Sequence, residues 1–200
     1  MSRRFSEQKE RMLRGELYLA RDPELQADSR RCRELLARFN DLGADDAERA
    51  VALADLVGSL GEGVHVRPPL QMDYGFQTTI GSGTFINAGA VILDVGRVAI
   101  GADVQIGPNV QLLTPTHPLD PDVRRTGLEA AEPITIEDNV WLGGGVIVCP
   151  GVTIGRDTVV GAGAVVTRDL PPSVVAVGNP ARILRSLVQE SGDTEDGGDR

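Results

Sequence analysis

His65 and His117 are the only two histidines in a chain of 200 residues. Imidazole titrates near neutrality, which makes it the natural group to take a proton from a hydroxyl at that pH. His117 stands in Thr116-His117-Pro118-Leu119-Asp120, where a repeating run ends and a polar segment begins, so its side chain can face a groove. Two histidines also limit metal chemistry, because a catalytic zinc normally takes three protein ligands, typically imidazoles, and one chain cannot supply them. His65 and His117 of different copies could meet with a third ligand, but nothing in their spacing supports it, and no metal requirement is expected. Cys32 and Cys149 lack metal-ligand or redox spacing, and no cysteine-histidine activation pattern accompanies them, so Cys149 reads as a packing residue rather than a nucleophile. Arg168, Arg182 and Arg185 form a basic set near the C-terminus, fitted either to phosphate groups or to an ordinary solvated face.

The formal charge of −9 and a pI near 4.7 argue against nucleic acid or an anionic membrane as the main partner, since both demand a positive footprint. An anionic ligand must therefore find a local basic patch. The N-terminal MSRRFSEQKE lacks the apolar core of a signal peptide, and no run approaches the ~18 apolar residues of a membrane span, so a soluble cytoplasmic protein is expected. Aromatics are only 4% while glycine reaches 24 residues, which implies a core of Val, Ile, Leu and Ala.

The elements that must position these residues fall into three zones. Residues 1–60 are charged and rich in Ala and Leu, with Leu17, Leu25, Leu35, Leu36 and Leu53 at roughly helical spacing, and they read as a helical cap. Asp22-Pro23-Glu24-Leu25 marks a helix start: N-cap, proline at the first position, acid in the first turn. Residues 61–184 carry a period of six. Apolar residues recur at Ile80, Ile86, Ile92 and Val98, then two places later at Ile100, Ile106 and Leu112, and again from Ile136 through Leu142, Val148, Ile154, Val160 and Val166. Such a period fits neither an amphipathic helix nor a hairpin meander. It fits a short strand and a sharp corner repeated along a solenoid, three units to a triangular coil, with Gly, Asn and Asp tolerating left-handed dihedrals at the corners. The glycines recur with this period instead of opening a helix after a strand, so no P-loop or dinucleotide fingerprint is present. Residues 118–133 break the period as a polar, exposed loop, and the acidic tail 185–200 is expected to be disordered.

Several strings together resemble the maltose and galactoside O-acetyltransferases: MLRGELYLARDPEL (12–25), PPLQMDYG (68–75), INAGAVILDVGRVAIGADVQIGPNVQLLTPTHPLD (86–120), ITIEDNVWLGGGVIVCPGVTIG (134–155) and VVGAGAVVTRDLPPSVVAVGNPARILR (159–185). The likeness spans about residues 11–185. It implies a mainly β fold, a left-handed parallel β-helix under a helical cap. It also implies a homotrimer, with acetyl-CoA as co-substrate in the groove between neighbouring subunits and a sugar acceptor near the cap. The hand comes from the resemblance alone, since ordinary crossovers between parallel strands are right-handed.

On this resemblance His117 becomes the general base of acetyl transfer, and Glu129 either orients it or is a solvated loop residue. Asn87 and Asp94 match polar positions used for acceptor hydroxyls. Asn87 could equally be a corner residue, and Asp94 begins the two-residue register shift. Tyr74 is a sugar-stacking or cap-packing residue, with packing favoured. The acidic acceptor ligand of galactoside enzymes falls on Ala20 here, a departure from the galactoside pattern. Trp141 matches an aromatic near the pantetheine groove or packs between subunits. Gly144, Ala162 and Thr167 match positions lining the pantetheine arm, and Arg168, Arg182 and Arg185 would meet the coenzyme phosphates. The reading is an acetyl-CoA-dependent O-acetyltransferase acting directly on a sugar or small glycan. Open alternatives are an antibiotic or amine acceptor, or a non-catalytic hexapeptide scaffold.

Overall fold

The computed structural model describes residues 5–41 and 43–187. Three helices form the cap: α1 (Glu7–Leu13), α2 (Pro23–Phe39) and α3 (Asp46–Leu56). α2 begins where the Asp22-Pro23 signature sets it, the Asp22 side chain accepting from the backbone N–H of Glu24 and Leu25. Asp45 and Glu48 close a capping box on α3. The apolar faces of α2 and α3, through Cys32, Leu35, Leu36, Phe39, Leu53 and Leu56, continue the core of the domain below.

That domain is a solenoid of short parallel strands on three faces. Two faces have five strands each, and the third has seven, of which Arg182–Ser186 is antiparallel to Val174–Val177. The strand runs through Ser186, past the boundary expected at residue 184, and most of the tail expected to be disordered, residues 188–200, lies outside the described residues.

Interior columns run coil over coil in strict register. One is Leu60, Ile80, Ile100, Ile136, Ile154; a second is Val66, Ile86, Ile106, Leu142, Val160, Ala176; a third is Met72, Ile92, Leu112, Val148, Val166. Parallel strands stack about 4.8 Å apart, and at that spacing some corners leave no room for a side chain. A Cβ on Gly81 would lie 2.4 Å from the Gly101 carbonyl carbon. Gly81, Gly101, Gly107, Gly143, Gly155 and Gly161 are therefore small because the next coil is close. The left-handed dihedrals expected at these positions fall two residues later, at Gly83, Asp103, Asn109, Gly145, Asp157 and Gly163, and at Asn139 two residues after Glu137.

The register also explains the two-residue shift in the sequence. Most corners between columns take six residues, but Met72 to Ile80 and Ile92 to Ile100 take eight. Leu112 to Ile136, across the same prism edge one coil on, contains the whole period-breaking segment. Three consecutive coils thus push surplus residues outward at one edge. The third excursion is more than a loop: Pro121–Arg125 is helical and Leu128–Ala131 is a strand. A second small core, separate from the prism interior, joins this edge to the cap through Met12, Tyr18 and Leu25 from the cap and Tyr74, Val95 and Ala131 from the three excursions.

Two outcomes test this packing. Leu142→Ala, at a fully buried column position, should lower stability by about 2–5 kcal/mol in thermal or denaturant unfolding; a change under ~1 kcal/mol would contradict the column. At the edge, burial first and then the charges of Asp94 and Glu129 raise the Asp73 carboxyl from 3.8 to about 6. The folded chain holds this proton more tightly than the unfolded chain, so the stabilisation is complete below about pH 4 and lost as pH rises through about 6. Asp73→Asn should accordingly melt higher than the parent near pH 7.5, with the gap closing toward pH 5. A gap of equal size at both pH values would show that the Asp73 charge is not the cause.

Candidate functional site

The strand Leu128–Ala131 is flanked on both sides. Pro115–Thr116 pairs with it antiparallel, Pro115 opposite Ala131 and Thr116 opposite Ala130. On its other side runs Tyr18–Leu19 from the cap, Tyr18 opposite Glu129. Continuing the first register by one residue sets His117 across from Glu129, so Glu129 occupies the position between Tyr18 and His117. The Tyr18 hydroxyl donates to Glu129 Oε1. Glu129 is half-buried, whereas His117 is exposed and has no hydrogen-bond partner among the described residues.

Asp94 lies beneath this strand layer. It is fully buried, and its oxygens accept from the Tyr74 backbone N–H at 2.9 Å and the Thr78 hydroxyl at 3.1 Å. Desolvation raises its carboxyl, opposed by these bonds. The carboxylate thus ties the first excursion to the second, and within the single chain it is not open to an acceptor. Thr114 does the same one coil on, donating to the Leu93 carbonyl at 2.6 Å and accepting from the Gly96 N–H at 2.8 Å. Tyr74 is buried against Phe76, ring centroids 5.7 Å apart, within the cap core. Neither Asp73, Asp94 nor Glu129 forms an ion pair among the described residues.

A groove of about 490 Å³ runs along the seven-stranded face. It gathers Asn87, Trp141, Gly144 and Ala162, together with Phe85, Gln105 and Pro108, which sequence reading did not single out. Trp141 is 56% exposed, an unusual state for so large an apolar surface. Asn87 is not in the left-handed region; its side-chain oxygen accepts from the Ala88 N–H. Arg168 and Arg182 line a separate cavity of about 310 Å³ with Leu170 and Ile183. Arg185 lies on the same strand as Arg182, and Thr167 is exposed beside Arg168. The expected coenzyme residues therefore form two groups, one in the groove and one at the C-terminal end, and His117 does not line the groove.

Cys32 is buried, its Sγ 3.6 Å from the Met72 carbonyl, and burial pushes its thiol up to about 12. Among the described residues no cluster of three or more His, Cys, Asp or Glu is arranged to hold a metal ion. Tyr18 and Asp73 escaped the sequence reading. The one available signal was the eight-residue spacing that sets residues 73–77 outside the repeat.

Comparison with known proteins matches residues 11–61 to the maltose acetyltransferase hexapeptide capping motif and residues 133–168 to the bacterial transferase hexapeptide repeats. Galactoside O-acetyltransferase of Escherichia coli is 37% identical over 179 residues, 89% of this chain and 88% of that one. A maltose O-acetyltransferase structure from Clostridium difficile superposes with a TM-score of 0.89 at 42% identity, covering 91% of this chain and 98% of the other. A hexapeptide-repeat acetyltransferase from Vibrio cholerae, solved with acetyl coenzyme A, gives 0.86 at 40% identity over 92% of this chain and all of that one, 100%. With the capping motif, the repeat and relatives of this identity over nearly its whole length, the chain belongs to the maltose and galactoside O-acetyltransferase family of hexapeptide-repeat acetyltransferases.

Proposed function

We propose that the chain transfers the acetyl group of acetyl-CoA to a hydroxyl of a sugar or small glycan, directly in a ternary complex, with His117 as general base. The observation that carries this reading is the pairing of Tyr18 with Glu129 on a strand whose other neighbour, Pro115–Thr116, ends one residue before His117. A carboxylate beside an imidazole fixes its tautomer and stabilises the imidazolium that forms when the base takes a proton. His117 would accept the acceptor's hydroxyl proton as that oxygen attacks the thioester carbonyl. The proton then passes to the departing coenzyme sulfur as the C–S bond breaks. Co-substrate binding falls to the open groove, whose flat lining of Gly143, Gly144, Gly161 and Ala162 admits an extended chain between Trp141 and Pro108. Arg168, Arg182 and Arg185 supply positive charge for its phosphates in a chain of net charge −9. The acceptor is a polyol that needs no acid at position 20, because Ala20 packs partly buried against the cap core.

The proposal includes the homotrimer that the family resemblance implies, and the same surfaces support it. Trp141, Ile183 and Leu184 are large, apolar and more than half exposed on the single chain, and the groove is open along its length. Neighbouring copies would cover the first and close the second. Sedimentation should give three times the mass of the chain; a stable, active monomer would contradict this.

For the base, His117→Ala should lower kcat by roughly 10²–10⁴-fold, with acetyl-CoA affinity and assembly unchanged. Glu129→Gln should lower kcat less, and the double variant much less than the product of the two losses, because the pair acts as a unit. The measurement is steady-state kcat beside a coenzyme titration on one accepted sugar. Near-normal kcat in His117→Ala would show that another group is the base.

A further inference from the structure

We infer that Tyr18, a residue of the cap 99 positions before the base, is a positioning residue for the transfer: its hydroxyl holds the Glu129 carboxylate in the orientation that presents its second oxygen to His117. The inference rests on the assignment of His117 and Glu129 above.

Three observations carry it. The Tyr18 side chain is fully buried, and a buried phenol needs a hydrogen-bond partner. A backbone carbonyl would satisfy the phenol, but here the acceptor is one oxygen of the Glu129 carboxylate, 111 residues away in sequence. The other oxygen, Oε2, accepts nothing among the described residues and is free for the imidazole. Finally, Glu129 forms no ion pair among the described residues. The carboxylates around it, Asp73 and Asp94, are of like charge, and Asp73 is raised in part by Glu129 itself. Without a donor, such a half-buried side chain would turn toward solvent, away from both carboxylates. Burial and the bond to Glu129 push the phenol above its ordinary range, so it remains a donor throughout the pH range in which a neutral imidazole works.

The Tyr18 ring also packs with Met12, Leu25, Tyr74, Val95 and Ala131, so the test must separate ring from hydroxyl. Tyr18→Phe does so. Steady-state constants and melting temperatures are compared for the parent, Tyr18→Phe, Glu129→Gln, their double variant and His117→Ala. Loss of one hydrogen bond to a charged group predicts a fall in kcat of about tenfold for Tyr18→Phe, with KM for acetyl-CoA unchanged. In the Glu129→Gln background the amide oxygen still accepts from the phenol but carries no charge to present to an imidazolium, so the same substitution should cost kcat much less than in the parent. Unchanged kcat in Tyr18→Phe, or an equal loss in both backgrounds, would overturn the inference. So would a rise in KM for acetyl-CoA that accounts for the whole loss, since that marks structural support alone. If Tyr18→Phe does not fold, Glu129→Asp replaces it: withdrawing the carboxylate by one methylene breaks the same contact with the cap intact, and kcat should again fall about tenfold, unchanged kcat again overturning the inference. His117→Ala separates the two levels. Activity retained there removes the base assignment itself, whereas activity lost there beside a normal Tyr18→Phe removes only the role of Tyr18.

Discussion

Coil stacks on coil in this protein with no slack, residue over residue, and that register governs where everything else can go. Where a Cβ on Gly81 would meet the next coil at 2.4 Å, a side chain cannot be inserted without separating the strands. Each coil must therefore present the same apolar residue to the same column, and any extra residue must leave the prism at a corner. Three consecutive coils expel theirs at the same edge, first residues 73–77, then 94–96, then the segment ending in Leu128–Ala131. The rigid interior and the irregular edge are thus two consequences of one constraint, and the proposed site is built from what the repeat cannot accommodate.

The edge is stable because its polar groups are tied to one another. Asp94 accepts from the excursion before it, Thr114 bridges to the one after, and six apolar side chains from cap and edge exclude water around them. Glu129 differs from Asp94 in having its partner on the cap strand and in keeping one oxygen without a hydrogen bond among the described residues. The cap therefore closes the core of the prism end through α2 and α3 and, through Tyr18, reaches the carboxylate opposite His117. The residues proposed for the coenzyme lie apart from this edge, in a groove and an end patch that a single chain leaves open.

The solenoid was legible because its signal is dense: one apolar residue every six, with little else competing for the pattern. The start of α2 was legible for a similar reason, since the Asp22-Pro23-Glu24 cap chemistry is entirely local. Groove residues Asn87, Trp141, Gly144 and Ala162 could be gathered from family likeness because they sit at fixed places in the repeat. The purpose of the corner glycines was not legible, because close approach between coils and a left-handed dihedral both favour glycine and look alike in a string of letters. Nor was the Tyr18–Glu129 contact, which depends on a strand pairing across 111 residues whose members are only two and four residues long. The burial of Asp94 follows from the two extra residues at its corner, and the sequence records these only as a slip in the period.

The most direct measurement is a crystal structure with coenzyme A and an accepted sugar bound together. The account predicts the sugar over the edge formed by residues 73–77, 94–96 and 128–131, its reacting hydroxyl about 3 Å from a His117 ring nitrogen, with Glu129 on the other nitrogen and the coenzyme in the groove beside Trp141. An acceptor seated elsewhere along the prism, with His117 out of reach of its hydroxyl, would contradict it.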